Sequence, residues 1–175
     1  MIMKKLIFFI MLCIFSTTSD AQNAKLTGTW IGTYRFQHVD DSDNWFWADY
    51  KLYVRIYKYD EYRLKMKTVP ISSCSACKTS YYDNCIILSV DDNTICFYEK
   101  SEKEFWQEND VITGMYQIEN HYRLSYSNGV LHISPVKRIM IDYDKHGNFL
   151  KREDVTHMSA WIFKDVDLYK EENDW

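Results

Sequence analysis

From Lys25 onward apolar and polar side chains alternate with a period of two, the signature of strands that bury one face. Leu52, Val54 and Ile56 alternate with Tyr53, Arg55 and Tyr57, and Leu64 and Met66 with Arg63, Lys65 and Lys67. A three-residue loop at Tyr59, Asp60 and Glu61 predicts a hairpin that aligns Leu52, Val54 and Ile56 with Met66, Leu64 and Tyr62. A two-residue loop would oppose Val54 and Ile56 to Lys67 and Lys65, so the hydrophobic pattern selects the longer one.

The same test predicts further hairpins. Asn128-Gly129 tolerates positive φ at both positions and pairs Tyr126 with Leu131 and Leu124 with Ile133. A loop at Glu119, Asn120 and His121 pairs Tyr116 with Leu124 and Gly114 with Tyr126, where Gly114 makes room for a ring and lets the sheet coil. Asp92-Asn93 pairs Val90 with Ile95 and Leu88 with Phe97. His146-Gly147 places Asp142 opposite Lys151 and Tyr143 opposite Leu150. Residues 25–37 and 158–169 supply the first and last strands; strand period at Trp161, Phe163, Asp165, Asp167 and Tyr169 disfavours a helix there. The expectation is an all-β chain, an antiparallel up-and-down barrel or strongly coiled meander of about 8–11 strands.

The first 21 residues differ in kind. A basic start to Lys5, an apolar run from Leu6 to Phe15 and a small, polar close with Ser19 and Ala21 before Gln22 read as a secretory signal peptide. Its ten apolar residues fall short of the ~20 that span a bilayer, and no later stretch is apolar enough. The chain is expected to be exported, periplasmic or extracellular after cleavage near Ala21, with residues 22–175 as one domain and no transmembrane segment. Cys13 leaves with the signal, since Leu12 is not the small residue that lipidation wants. Removing residues 1–21 takes away Lys4, Lys5 and Asp20, leaving 19 basic and 24 acidic side chains and a net charge of -5. That excludes the concentrated basic footprint of nucleic-acid binding.

Export bears on the cysteines. Cys74, Cys77, Cys85 and Cys96 are disulfide candidates rather than zinc ligands, because the last two do not form a close pair. Cys96 falls opposite Ser89, which puts Cys85 roughly 13 Å from it along the strand, beyond the ~7 Å between α-carbons that a disulfide allows. The expected partner of Cys85 is Cys74 or Cys77. Asp40, Asp41, Ser42, Asp43 and Asn44 lack the glycine and the late bidentate glutamate of a calcium loop and read as solvated. The five histidines show no metal-binding spacing, and no nucleophile elbow or phosphate loop appears. No metal, cofactor or catalytic activity is expected.

Two surfaces draw notice. Tyr53, Arg55, Tyr57, Arg63, Lys65 and Lys67 make a tyrosine and basic face suited to an acidic partner or polyanionic glycan, and equally ordinary for the outside of two strands. Trp45, Phe46, Trp47, Phe105 and Trp106 stand at loop-to-strand transitions, where they either rim the open end of a cavity or plug it as core.

Gly28-Thr29-Trp30, near the start of the first strand, resembles the Gly-x-Trp of the lipocalins and their calycin relatives. The resemblance implies a barrel whose closed end is crossed by Trp30, entered through Gly28, and whose cup holds a small hydrophobic molecule. Ile141-Asp142-Tyr143 echoes the family's Thr-Asp-Tyr, and Arg152 is the available late arginine to cover the tryptophan. The leading expectation is noncatalytic binding of a small, largely apolar molecule among Leu52, Val54, Ile56, Leu64, Met66, Tyr116, Leu124 and Tyr126, with Trp45, Trp47 and Trp106 at the rim. The alternative is an interaction module, an inhibitor or envelope-assembly protein, acting on a protein partner through its outer surface and loops. A hollow interior favours the first and a filled one the second.

Overall fold

The computed structural model describes residues 25–39, 44–58, 61–71, 77–158 and 165–172. Eleven strands account for most of them: β1 (Gly28–Val39), β2 (Trp45–Lys58), β3 (Tyr62–Pro70), β4 (Ser80–Tyr82), β5 (Cys85–Asp91), β6 (Thr94–Lys100), β7 (Glu104–Glu108), β8 (Val111–Ser127), β9 (Val130–Asp144), β10 (Phe149–Asp154) and β11 (Val166–Lys170). A 3-10 turn, Thr156–Met158, follows β10.

All pairings are antiparallel, in the order β4-β3-β2-β1-β11-β9-β8-β6-β5. The outermost strands, β4 and β5, are neighbours in the chain, joined only by Asp83 and Asn84. The sheet therefore curls until its edges meet, with β3 facing β5 across the seam, and forms a nearly closed barrel. β8 and β9 outrun the barrel. Their distal halves are flanked by β7 and β10, so a four-stranded extension continues the wall beyond one end.

Alternation along the strands fills the barrel. Leu52, Val54, Ile56, Leu64, Met66, Ile95, Phe97, Tyr122, Leu124, Leu131, Ile133, Val166 and Leu168 join Leu26 and Trp30 in one buried cluster. Trp30 lies across one end. Its Nε1 donates to the Leu26 carbonyl at 2.9 Å, Tyr126 meets it edge-on at 5.8 Å, and Lys170 covers its face. Gly28, at φ 120°, packs against the Lys170 stem, which a Cβ would approach to 2.9 Å. Cover for Trp30 thus comes from Lys170 on the last strand; Arg152 sits on the extension and pairs with Glu119.

Several expected registers hold. Tyr126 pairs with Leu131, Leu124 with Ile133, Val90 with Ile95, Ser89 with Cys96 and Asp142 with Lys151. In the first hairpin the faces are as expected, but the partners lie two residues on: Val54 faces Met66, Ile56 faces Leu64 and Leu52 faces Thr68. Bulges alter two others. Ile87, not Leu88, meets Phe97, and Phe149, not Leu150, meets Tyr143.

The expected hairpin at Glu119, Asn120 and His121 does not form. These residues lie mid-strand in β8, where Glu119 pairs with both Lys100 and Ile139 and Asn120 with both Glu99 and Arg138. Turn-type residues were carried into a strand because neighbours on both sides satisfy their backbone groups. Gly114 consequently lies opposite Trp106 and Asp144, not Tyr126. Its missing Cβ admits the Tyr143 carbonyl, 2.9 Å from where that atom would be.

Candidate functional site

The inward set expected to line a cup is brought together, and it is sealed. Leu52, Val54 and Leu124 are 0% exposed, Ile56 1%, Leu64 2% and Met66 3%. Such values leave no water-sized space beside these side chains. Tyr126 is half-buried at the Trp30 end. Tyr116 is not in this set: it lies on the extension, hydrogen-bonded to the Glu104 carboxylate and 4.5 Å from the Trp106 ring.

Above the apolar tiers the interior turns polar. The alternation that buries Ile95 and Phe97 on β6 continues to Glu99, and that of Leu124 and Tyr122 on β8 continues to Asn120. Glu99, Asn120 and Arg138 therefore form one row across β6, β8 and β9. The Asn120 amide donates to Glu99 Oε2 at 2.9 Å. Burial raises the Glu99 carboxyl above its ordinary range, opposed by the Asn120 hydrogen bond and the Arg138 charge. Tyr34 and Tyr82 both hydrogen-bond the buried Thr68, and burial pushes both phenols up, as it does Tyr122. Sequence reasoning missed this row. Its one available signal was the position of Glu99 at period two from Ile95 and Phe97.

Cys85 and Cys96 carry free thiols, so the bond expected between Cys85 and Cys74 or Cys77 is absent. Cys85 points toward the core, its Sγ donating to the Tyr82 carbonyl at 3.4 Å, and burial with the nearby Glu99 holds the thiol protonated. A buried, protonated thiol is a weak nucleophile. Cys74 lies outside the described residues, as do Asp40, Asp41, Ser42 and Asp43 of the acidic run and Trp161 and Phe163 of the expected last strand.

The rim aromatics separate. Trp106 packs on Tyr116 and donates from Nε1 to Asp142 at 3.3 Å. Trp45 and Trp47 stand on the outer face of the β1–β2 hairpin where it projects past β3 and β11, 67% and 60% exposed. The basic face is present on β2 and β3, but it is already engaged: Lys67 lies over Tyr53 and Tyr81, and Lys65 binds Asp83 at 2.9 Å.

One arrangement has the connectivity of nucleophile, base and orienting acid. Ser127 Oγ is 3.2 Å from His132 Nε2, and His132 Nδ1 is 2.5 Å from Asp167 Oδ1. It sits on the convex outer wall, with His132 40% and Asp167 57% exposed at the side chain. Water competes for such hydrogen bonds, unlike those of a dehydrated site. A second cluster, around the buried Glu119, joins Arg152, His121 and Lys100 beside an open groove of about 550 Å³. Burial lowers the His121 pKa, against the pull of Glu119.

Among the described residues no group of three or more His, Cys, Asp or Glu is arranged to hold a metal ion, and no helix is long and apolar enough to cross a membrane. Compared with protein-family models, curated proteins and solved structures, the chain matches none.

Proposed function

We propose that this chain is an exported, noncatalytic recognition protein that works through its outer surface and projecting hairpins, in preference to a cup holding a small apolar molecule. The observation that carries this is the sealed state of Leu52, Val54, Ile56, Leu64, Met66 and Leu124. A cavity that takes a small ligand runs to several hundred Å³ and is lined by apolar side chains with accessible surface. Here those side chains spend their surface on one another, and the tier above them is closed by the hydrogen-bonded Glu99 and Asn120.

The likeness to calycins supports the barrel part of the reading, through Gly28 and Trp30 at the head of β1 and the cationic Lys170 over the indole. The basic start and apolar run of residues 1–21 support export. Native mass spectrometry after mild purification from the producing cell tests the choice. The recognition reading expects the mass of the protein alone or with a macromolecular partner; a stoichiometric small apolar molecule would reverse it.

The alignment of Ser127, His132 and Asp167 favours a second reading, a serine esterase. A fluorophosphonate probe separates the two. Labelling of wild type that is lost in Ser127→Ala and His132→Ala supports the esterase, and an unlabelled wild-type protein removes it.

A further inference from the structure

We infer that the outer face of the β1–β2 hairpin, centred on Trp45 and Trp47, is a binding platform for a neutral oligosaccharide chain. The inference rests on the recognition reading above and names its partner.

The two indoles are two residues apart on one strand, so both project from the same face, roughly 7 Å apart. Their exposure of 67% and 60% leaves the ring faces free for contact. The opposite face of the hairpin holds them in place. His38 stacks on Phe46 at 5.5 Å, and Tyr50 lies 2.6 Å from His38 Nε2 through its hydroxyl and stacks on Tyr34 at 5.4 Å. A strand pair stiffened from behind presents its aromatics with little left to order on binding, which favours affinity.

Polar groups adjoin the indoles in register. Gln37 pairs with Trp47, and the next outward pair is Arg35 with Asp49, held by an Nε to Oδ1 bond of 2.8 Å. Arg35 and Asp49 also line an open groove of about 420 Å³ with Thr33 and Ile71. Indole faces that meet the C–H face of a sugar ring, beside planar side chains that exchange hydrogen bonds with hydroxyls, are the two chemistries a saccharide demands. The groove gives the chain a path beyond the first rings.

Charge selects the occupant. Asp49 lies on the face itself, and Lys51 is the next outward residue along β2. Arg35 is committed to Asp49. Among the described residues this face gives an anionic membrane or a polyanionic glycan no cluster of cations to pair with, whereas an uncharged glycan needs none.

The test uses the full mature chain, calorimetric titration with cellohexaose and with the hexamer of N-acetylglucosamine, and heparin and phosphatidylglycerol vesicles as anionic comparators. Saturable binding of a neutral hexamer is expected, weakened about tenfold or more in Trp45→Ala/Trp47→Ala and unchanged in Trp106→Ala. The melting temperature of the double variant should match wild type, since both rings are solvent-exposed. Failure of both hexamers to bind, binding that survives the double substitution, or Trp-dependent binding to vesicles or heparin would each overturn the inference. The two proposals fail separately: glycan failure with no small molecule bound inside the barrel leaves surface recognition standing, whereas a small molecule carried inside the barrel removes both.

Discussion

Lys170 holds its ammonium 5.7 Å from the centre of the Trp30 indole, joining the last strand to the first across the closed end of the barrel. The stem of the same lysine crowds Gly28, so one side chain covers two residues of the Gly28-Thr29-Trp30 entry. Truncating the fully buried ring in Trp30→Ala should cost about 3–5 kcal/mol. Lys170→Ala should cost about 0.5–1 kcal/mol, and Lys170→Met should recover part of that, because methylene cover persists without the charge. Urea denaturation followed by tryptophan fluorescence reads all three. An equal loss for alanine and methionine would assign the whole effect to the cation.

At Gly32 β1 lies tight against β11. A Cβ there would lie 2.4 Å from the Asp167 carbonyl oxygen and 2.7 Å from a Leu168 methyl. Backbone cannot swing aside as a flexible side chain does, so Gly32→Ala should destabilise by about 3 kcal/mol or more by prising the closing strand from the first. Gly129→Ala is the informative comparison. Nothing lies within 4 Å of its would-be Cβ, and only its φ of 85° resists the substitution, so its cost should stay near 1 kcal/mol.

Glu99 makes stability depend on pH. Burial raises its folded pKa, so the folded form holds the proton more tightly than the unfolded chain does. The stability contributed by the protonated carboxyl is complete below the ordinary glutamate range and is lost as pH rises from that range through the raised folded value. Glu99→Gln keeps the shape without the titration. Its melting temperature relative to wild type should climb across that window and level off above it. A constant offset at every pH would show that Glu99 does not titrate differently on folding.

Arg152 reaches from β10 to the Glu119 carboxylate, which is 7% exposed at the side chain. Removing the cation in Arg152→Ala leaves the largely buried carboxylate to the more distant Lys100 and His121, and a loss of about 1–2 kcal/mol is expected, since the arginine itself is half in solvent. Glu119→Gln/Arg152→Ala should restore much of it, which a double-mutant cycle measures. Lys151→Ala, whose partners are Asp142 and Glu153, should leave stability nearly unchanged because its ammonium is exposed.

Where period two was unbroken, faces and turns could be read from residue order alone. Asn128-Gly129 located its hairpin to the residue, and the buried faces of β2 and β3 emerged because a one-residue slip would have placed lysines in the core. Glu119, Asn120 and His121 show the limit. They read as a turn because they are polar, yet Glu119 is buried against Arg152 and Asn120 against Glu99, partners 33 and 21 residues away. Local polarity carries no information about such contacts. Nor could order alone reveal that β8 and β9 outrun the barrel, that a bulge would turn Leu88 outward, or that Lys170 would cover Trp30. The sealing of the interior was out of reach for the same reason: the pattern tells which side chains point inward, not whether they meet.

A filled barrel should become a cup when one layer is removed. Phe97 is 0% exposed and packs at 5.4 Å against Tyr122, beneath the Glu99 and Asn120 tier. Phe97→Ala deletes a ring from rigid surroundings and should cost about 3–5 kcal/mol, part of it the cavity left behind. An apolar void of that kind stays dry and takes small apolar guests. The variant should therefore bind benzene or indole with a rise in melting temperature that grows with guest concentration, while wild type shows no such rise. Tyr122→Phe guards against a trivial outcome, since it removes the hydroxyl and leaves the ring, and it should behave as wild type toward these guests. A wild-type protein already stabilised by benzene or indole would mean that Leu52, Val54, Ile56 and Leu124 part readily enough to admit a ligand, and the cup would replace the outer surface as the working part of the molecule.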